Sequence, residues 1–147
     1  TLRFGIYFDT SRRCGTIYAM DSITIKLSGS LPSSLSKNGR RRSHWWTQKQ
    51  DTQKMLDNCT MLIREATGNN LPKYEKADIE ILSRYSNLPL DYDGLAPAVA
   101  PAIDAFVTLG IIEDDNPNIV LSYLMRFEKV SKRAFAETVV TLTNHKP

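Results

Sequence analysis

Five acidic residues lie in two short groups that are about twenty residues apart. Asp91 and Asp93 form an Asp-x-Asp pair, and Glu113, Asp114 and Asp115 form the second group. Clustered carboxylates repel one another unless a cation lies between them. Hard oxygen ligands of this kind suit Mg²⁺ or Mn²⁺, and such an ion activates water and holds a phosphate during in-line displacement. Metal-dependent phosphodiester hydrolysis is therefore one interpretation of these acids.

The same residues also have a simpler interpretation. An Asp-x-Asp sequence in a loop is usually a solvated turn or a helix cap, and Asp93 is a candidate N-cap for the helix that follows. Residues 113–118, EDDNPN, are typical of a turn. The spacing alone leaves open whether these acids bind an ion or only shape loops.

Hydrophobic periodicity predicts the elements that position the acids. Alternating apolar residues predict four strands, at Ser22–Leu27, Lys76–Tyr85, Ile119–Val130 and Ala134–Leu142, the last two paired as a hairpin. The 3.6-residue period predicts two helices, one from an N-cap at Thr47 to Ala66 and one over Gly94–Leu109. The order β-α-β-α-β-β indicates a single α+β domain with a mixed β-sheet. We assign the domain to residues 22–143 and expect residues 1–21 to be an N-terminal extension, disordered or artefactual.

The second predicted helix separates the two acid groups. Pro101 cannot donate the usual amide hydrogen bond and is expected to kink or divide this helix. An unbroken helix of sixteen residues rises about 24 Å, so the acids meet only if the chain folds back. We expect the carboxylates of Asp91, Asp93 and Asp115 to converge within reach of one ion.

A basic and aromatic segment precedes the first predicted helix. Residues 37–49, KNGRRRSHWWTQK, include two tryptophans and no acid. Basic side chains of this kind contact phosphates, and an exposed tryptophan stacks on bases. The candidate DNA-binding residues are Lys37, Arg40, Arg41, Arg42, Trp45 and Lys49. The alternative is a solvated charged segment beside a tryptophan that joins the core, because one of two adjacent residues usually points inward.

Composition limits the class of protein. The chain has 147 residues, is 41% hydrophobic and 24% charged, and so fits one globular domain. No apolar run approaches the roughly 20 residues that a membrane-spanning helix needs. Cys14 and Cys59 make neither a zinc signature nor a disulfide framework, so we expect a cytoplasmic setting. The net charge of +3 is too small to indicate a nucleic-acid partner by itself.

The central segment Leu90–Val120, LDYDGLAPAVAPAIDAFVTLGIIEDDNPNIV, resembles the core of RusA-type crossover junction endodeoxyribonucleases. That family shows Asp-x-Asp-Asn-Leu, a helix bearing a lysine and Asp-Ala-Leu, then a glycine, apolar residues and Asp-Asp before a strand. The likeness extends over about residues 22–143 and is most specific in the centre. The residues that match are Asp91, Asp93, Leu95, Asp104, Ala105, Phe106, Gly110, Asp114 and Asp115.

The resemblance implies a RusA-like fold and a homodimer that resolves Holliday junctions or other branched DNA by phosphodiester hydrolysis. It implies a divergent, phage-like member that uses Mg²⁺, for which Mn²⁺ can substitute. Carried over to this chain, the catalytic residues are Asp91, Asp93 and Asp115. The implied metal ligands are these three and Asp114.

Two positions depart from the family pattern. Gly94 stands where the family has asparagine, and the family lysine falls on Ala100 or, aligned from the Asp-x-Asp pair, on Pro97. A missing cation beside a scissile phosphate removes electrostatic stabilisation. One alternative is therefore a catalytically impaired DNA-binding relative of the same fold. Another is an unrelated α+β interaction module whose acids are turn residues.

Overall fold

Four strands and two helices follow one another along the part of the chain that the structure describes. The structure is a computed structural model and describes residues 20–29, 31, 35, 44–87 and 89–146. The elements are β1 (Ser22–Ser28), α1 (Trp45–Thr67), β2 (Ala77–Tyr85), α2 (Tyr92–Thr108), β3 (Val120–Lys129), a 3-10 helix (Arg133–Phe135) and β4 (Glu137–Asn144). They form one small α+β domain with a mixed sheet, as the hydrophobic periodicity predicts.

The sheet has the order β1-β4-β2-β3. β4 is antiparallel to both of its neighbours, whereas β2 and β3 are parallel. The predicted hairpin between the last two strands is therefore wrong. β4 has buried Val140 and Leu142 and takes an inner position, whereas β3 is largely exposed and takes an edge. The connection between them passes the end of β2, where the Val130 N–H donates to the Tyr85 carbonyl oxygen at 2.8 Å.

The hydrophobic core lies between the two helices and one face of the sheet. Apolar residues alternate along the inner strands, so that Ile25, Val140 and Ile81 are register neighbours and all are buried. The opposite face carries polar pairs, among them the hydroxyls of Thr24 and Thr141 at 3.1 Å. This clean alternation is what a sheet covered on one side requires.

Helix α2 is continuous, so the prediction that Pro101 divides it is wrong. Both Pro97 and Pro101 lie inside the helix. An interior proline costs about 3 kcal/mol because it removes an amide donor. Burial of Val99, Ile103 and Phe106, each contributing about 1.5–3 kcal/mol, offsets that cost. No helix within the described ranges combines the length and the apolar character that crossing a bilayer requires.

Helix α2 connects two parallel strands of the sheet. β1 and β2 are each antiparallel to β4 and hence parallel to one another. α2 begins seven residues after β2 ends and so starts beyond the carboxyl end of that strand, whereas most of residues 29–44, which join β1 to α1, lie outside the described part of the chain. α2 then crosses to the amino end of β3, which is parallel to β2. The crossover β2-α2-β3 therefore has one acid group at each end.

Candidate functional site

The first acid group forms the start of α2. The N-cap is Asp91, not Asp93 as the sequence suggested. The Gly94 N–H donates to Asp91 Oδ1 at 2.7 Å, and the Leu95 N–H donates to the Asp91 carbonyl oxygen at 2.8 Å. Asp93 lies in the first helical turn, where the helix dipole favours a negative charge. Both carboxylates are exposed to solvent.

The departure at Gly94 has a local consequence for Asp91. A Cβ atom at position 94 would lie 3.0 Å from Asp91 Oδ1 and 3.5 Å from Leu90 Cβ. The first distance is tighter than ordinary van der Waals contact. A side chain at this position, including the asparagine of the family pattern, would therefore require the Asp91 carboxylate to shift by a few tenths of an ångström.

The second acid group follows α2 and organises a loop. Asp114 accepts hydrogen bonds from the Asn116 side chain and from the Asp115 N–H, both at 2.8 Å. These bonds, with that from Asn116 the stronger influence, hold the pKa of Asp114 below its usual value. Asn116 Oδ1 in turn accepts from the Asn118 N–H at 2.9 Å. Asp114 thus has the turn-forming role that the simpler interpretation of EDDNPN predicts.

Asp115 has a different environment from Asp114. Partial burial raises the pKa of Asp104, and the charge of Asp115 raises it further. The same two causes raise the pKa of Tyr123 to about 12. Asp115 therefore lies close enough to the last turns of α2 and to β3 for its charge to be felt there. In the sequence, Asp104 was identified only as part of the family signature. The feature that could have identified it as a site residue is the presence of an acid inside an otherwise apolar helix.

The structure does not bring the two acid groups together within one chain. α2 has 17 residues and so a length of about 25 Å. Asp104 lies about 20 Å along the helix axis from Asp91. Among the described residues, no three His, Cys, Asp or Glu side chains lie close enough together to hold one ion. The expected convergence of Asp91, Asp93 and Asp115 therefore does not occur within a single chain.

The described part of the basic and aromatic segment is the start of α1. His44 is the N-cap, and its Nδ1 accepts from the Trp46 N–H at 3.2 Å, so the helix begins earlier than the predicted Thr47. Trp45 and Trp46 are 62% and 51% exposed, with ring centroids 5.5 Å apart. The alternative that one tryptophan joins the core is therefore wrong. Lys49 is exposed on the same helix. The remaining candidates, Lys37, Arg40, Arg41 and Arg42, lie outside the described residues.

Comparison with known proteins identifies no relative: no protein-family model matches the chain, and no curated protein matches it.

Proposed function

We propose that the protein is a Mg²⁺-dependent, structure-selective DNA endonuclease of the RusA type that cleaves branched DNA such as Holliday junctions in the cytoplasm. One observation carries the proposal. The segment that resembles RusA folds as a single crossover whose apolar positions are buried, while Asp91, Asp93, Asp114 and Asp115 are exposed. If these four acids had only a structural role, there would be no reason for all of them to lie at the ends of the segment that carries the family signature.

The residues at both ends of α2 fit Mg²⁺ by their chemistry. Mg²⁺ keeps several waters and is usually held by one or two carboxylates together with substrate phosphates. Asp91 and Asp93 offer two carboxylates at the start of α2, whereas Asp115 lies near Asp104 at the other end of the helix. When bound, the ion would activate water and neutralise charge on the phosphate. The protein's own contribution is to place Asp91 and Asp93 at the start of a largely buried helix and Asp115 in the loop that follows it.

The start of α1 provides a surface for the nucleic acid. Exposed tryptophans stack on unpaired bases, which branched DNA presents at its junction, and each stacked base is worth about 1–3 kcal/mol. Trp45 and Trp46 are available for such stacking. Lys49, with Lys37 and the three arginines before α1, would contact phosphates.

A catalytically impaired DNA-binding relative is the second candidate, and the family lysine position favours it. Ala100 lies one helical turn before Asp104, and Pro97 lies one turn after Asp93. Both are half-buried, and neither supplies a cation. Such a relative would bind the same DNA through α1 without hydrolysing it.

A cleavage assay separates these candidates. A synthetic four-way junction and a linear duplex of the same sequence are incubated with the protein in Mg²⁺, Mn²⁺ or EDTA. Asp93→Asn and Asp115→Asn are compared with Asp57→Asn, an exposed acid on α1 whose carboxylate accepts from the Gln53 side chain at 2.8 Å. We expect metal-dependent cleavage of the junction alone. Both site variants should lose at least about 100-fold in rate, or ~2.7 kcal/mol of barrier, and the control should cut normally.

Two outcomes would contradict the proposal. Junction binding without cleavage in either metal would favour the impaired relative. Absence of both binding and cleavage would favour an α+β interaction module whose acids only shape turns.

A further inference from the structure

The connection between β3 and β4 carries three cations and no acid. Residues 129–135, KVSKRAF, contain Lys129, Lys132 and Arg133, and we call this segment the cationic connection. All three cations are exposed, and the ring of Phe135 is 56% exposed. Among the described residues, no carboxylate pairs with any of the three cations. Cations that no carboxylate holds are available to contact phosphates.

The acids that flank the cationic connection are engaged elsewhere. Glu128 precedes it and Glu137 follows it, and both form ion pairs with Arg84 near the end of β2. The Glu137 side chain is only 20% exposed, so its charge is directed to Arg84 rather than to solvent. Two acids and one arginine leave one negative charge, against three positive charges in the connection. The local charge balance is therefore positive, which favours a polyanionic partner.

The cationic connection crosses the end of the sheet at which α2 begins. It runs from β3 to β4 past the carboxyl end of β2, where the Val130 N–H donates to the Tyr85 carbonyl oxygen. The chain leaves β2 at that same end and enters α2 seven residues later. The connection and the Asp91–Asp93 pair therefore share one end of the domain.

A ring contact relates the first cation to the acids more closely. The Tyr92 ring packs edge-on against the Phe127 ring with centroids 5.0 Å apart, and Tyr92 stands between Asp91 and Asp93. Lys129 lies two residues beyond Phe127 on β3. It is therefore on the same face of the strand, about 7 Å farther along it. The cationic connection thus begins close to the start of α2.

We infer that the cationic connection binds the sugar–phosphate backbone of DNA and leads it past Asp91 and Asp93. Exposed carboxylates repel phosphates, so a phosphate backbone approaches them only where nearby cations offset the repulsion. The three cations of the connection supply that offset, and Phe135 offers a ring on which an unpaired base stacks. The chemical role of the two acids rests on the proposed function, whereas binding of the backbone by the connection does not.

Binding of a labelled four-way junction in EDTA tests the inference without cleavage. We compare the wild type with Lys132→Ala/Arg133→Ala and with the matched control Arg64→Ala/Lys73→Ala. Arg64 is exposed in the last turn of α1, and Lys73 is exposed four residues before β2, so the control changes the same net charge away from the connection.

The first double variant should weaken junction binding at least about 10-fold, because two phosphate contacts are lost. The slope of log Kd against log salt concentration should become shallower by about 2, since two fewer counterions are released. The control should keep the wild-type slope. Both double variants should keep the far-ultraviolet circular dichroism spectrum of the wild type, because all four side chains are exposed.

A single substitution tests the aromatic part of the surface. Phe135→Ala should weaken junction binding about 5-fold through loss of a stacked base. It should leave the salt slope unchanged, because it removes no charge. Phe135→Trp should bind at least as well as the wild type, since the larger ring also stacks.

Several results would overturn the inference. Wild-type affinity and salt slope in Lys132→Ala/Arg133→Ala would do so, as would an equal loss in the control, which would indicate net charge alone. Polyglutamate that competes as well as DNA of equal charge would assign the surface to acidic proteins. A protein that cuts junctions but binds them independently of the connection would keep the nuclease and refute the inference. Binding through the connection without cleavage would do the reverse, and a wild type that binds no DNA would refute both.

Discussion

The two ends of α2 use aspartate differently. At its start, Asp91 accepts the Gly94 N–H through its side chain, and Asp93 lies in the first turn. Beyond its end, Asp114 shapes the loop through hydrogen bonds. Asp115 instead acts at a distance, since its charge raises the pKa of Asp104 and of Tyr123. The position of the Asp91 carboxylate is fixed by local backbone geometry, whereas the effect of Asp115 depends on how its loop packs against α2 and β3.

This difference shows that a residue of the family signature can also be the N-cap of a helix. Asp91 has a structural role whether or not it also holds an ion, so loss of activity after its removal would not identify a ligand. Asp115 makes no such cap, and its substitution is the cleaner test of chemistry. The predictions below separate the two ends, starting with the largest expected effect.

Restoring the missing lysine should show which end of α2 it serves. Ala100→Lys places a cation one turn before Asp104, and its long stem can carry the charge out of a half-buried position. We expect junction cleavage to rise about 10-fold, which corresponds to ~1.4 kcal/mol of barrier. Pro97→Lys is the matched variant at the other end. A larger gain from Pro97→Lys would assign the lysine to the Asp91–Asp93 end, and no gain from either would mean that another cation fills this role.

Removing the cap should destabilise the start of α2 without the same effect at its end. Asp91→Ala should lower the free energy of unfolding by about 1 kcal/mol, whereas Asp91→Asn, which still caps, should change it little. Asp115→Ala should stay within about 0.5 kcal/mol of the wild type, as exposed substitutions usually do. Urea denaturation measures all three. An Asp115→Ala variant as unstable as Asp91→Ala would mean that the two ends have the same structural role.

Titration by NMR should show the smallest effect. Asp115→Asn should lower the pKa of Asp104 and of Tyr123, because it removes a charge that raises both. Asp91→Asn should leave them unchanged, since it lies about 20 Å along the helix from Asp104. The raised pKa of Asp104 means that the folded chain binds its proton more tightly than the unfolded chain. Its contribution to stability therefore falls as the pH rises above 3.8, the ordinary value, and Asp115→Asn should weaken that fall.

Local patterns in the sequence predicted much of the fold. The strands at Ser22 and Lys76, both helices and the order of the elements follow from periodicity and are found in the structure within a few residues. The predicted hairpin of β3 and β4 was wrong because the apolar pattern identifies both segments as strands but does not determine which strands pair. Only non-local pairing with β2 decides which one lies inside.

The site was harder to predict for the same physical reason. The sequence predicted the length of the helix between Asp93 and Asp115, about 24 Å, but not whether the chain folds back to bring these acids together. Pro101 suggested a kink or a break, whereas α2 continues through it with its apolar face buried. The sequence identified Asp104 only as a residue of the family signature, because its interaction with Asp115 depends on how the loop packs in the folded chain.

Metal-dependent cleavage of a four-way junction by Asp115→Asn tests the central claim most directly, namely that the acids at the ends of α2 belong to a metal-dependent nuclease. Asp115→Asn is compared with the wild type and with Asp57→Asn in Mg²⁺ and in EDTA, and junction binding is measured in the same samples. We expect the wild type and Asp57→Asn to cut only in Mg²⁺, and Asp115→Asn to bind the junction but to lose at least about 100-fold in cleavage rate. Cleavage by Asp115→Asn at the wild-type rate, or a wild type that binds the junction without cutting it in Mg²⁺, would contradict the account.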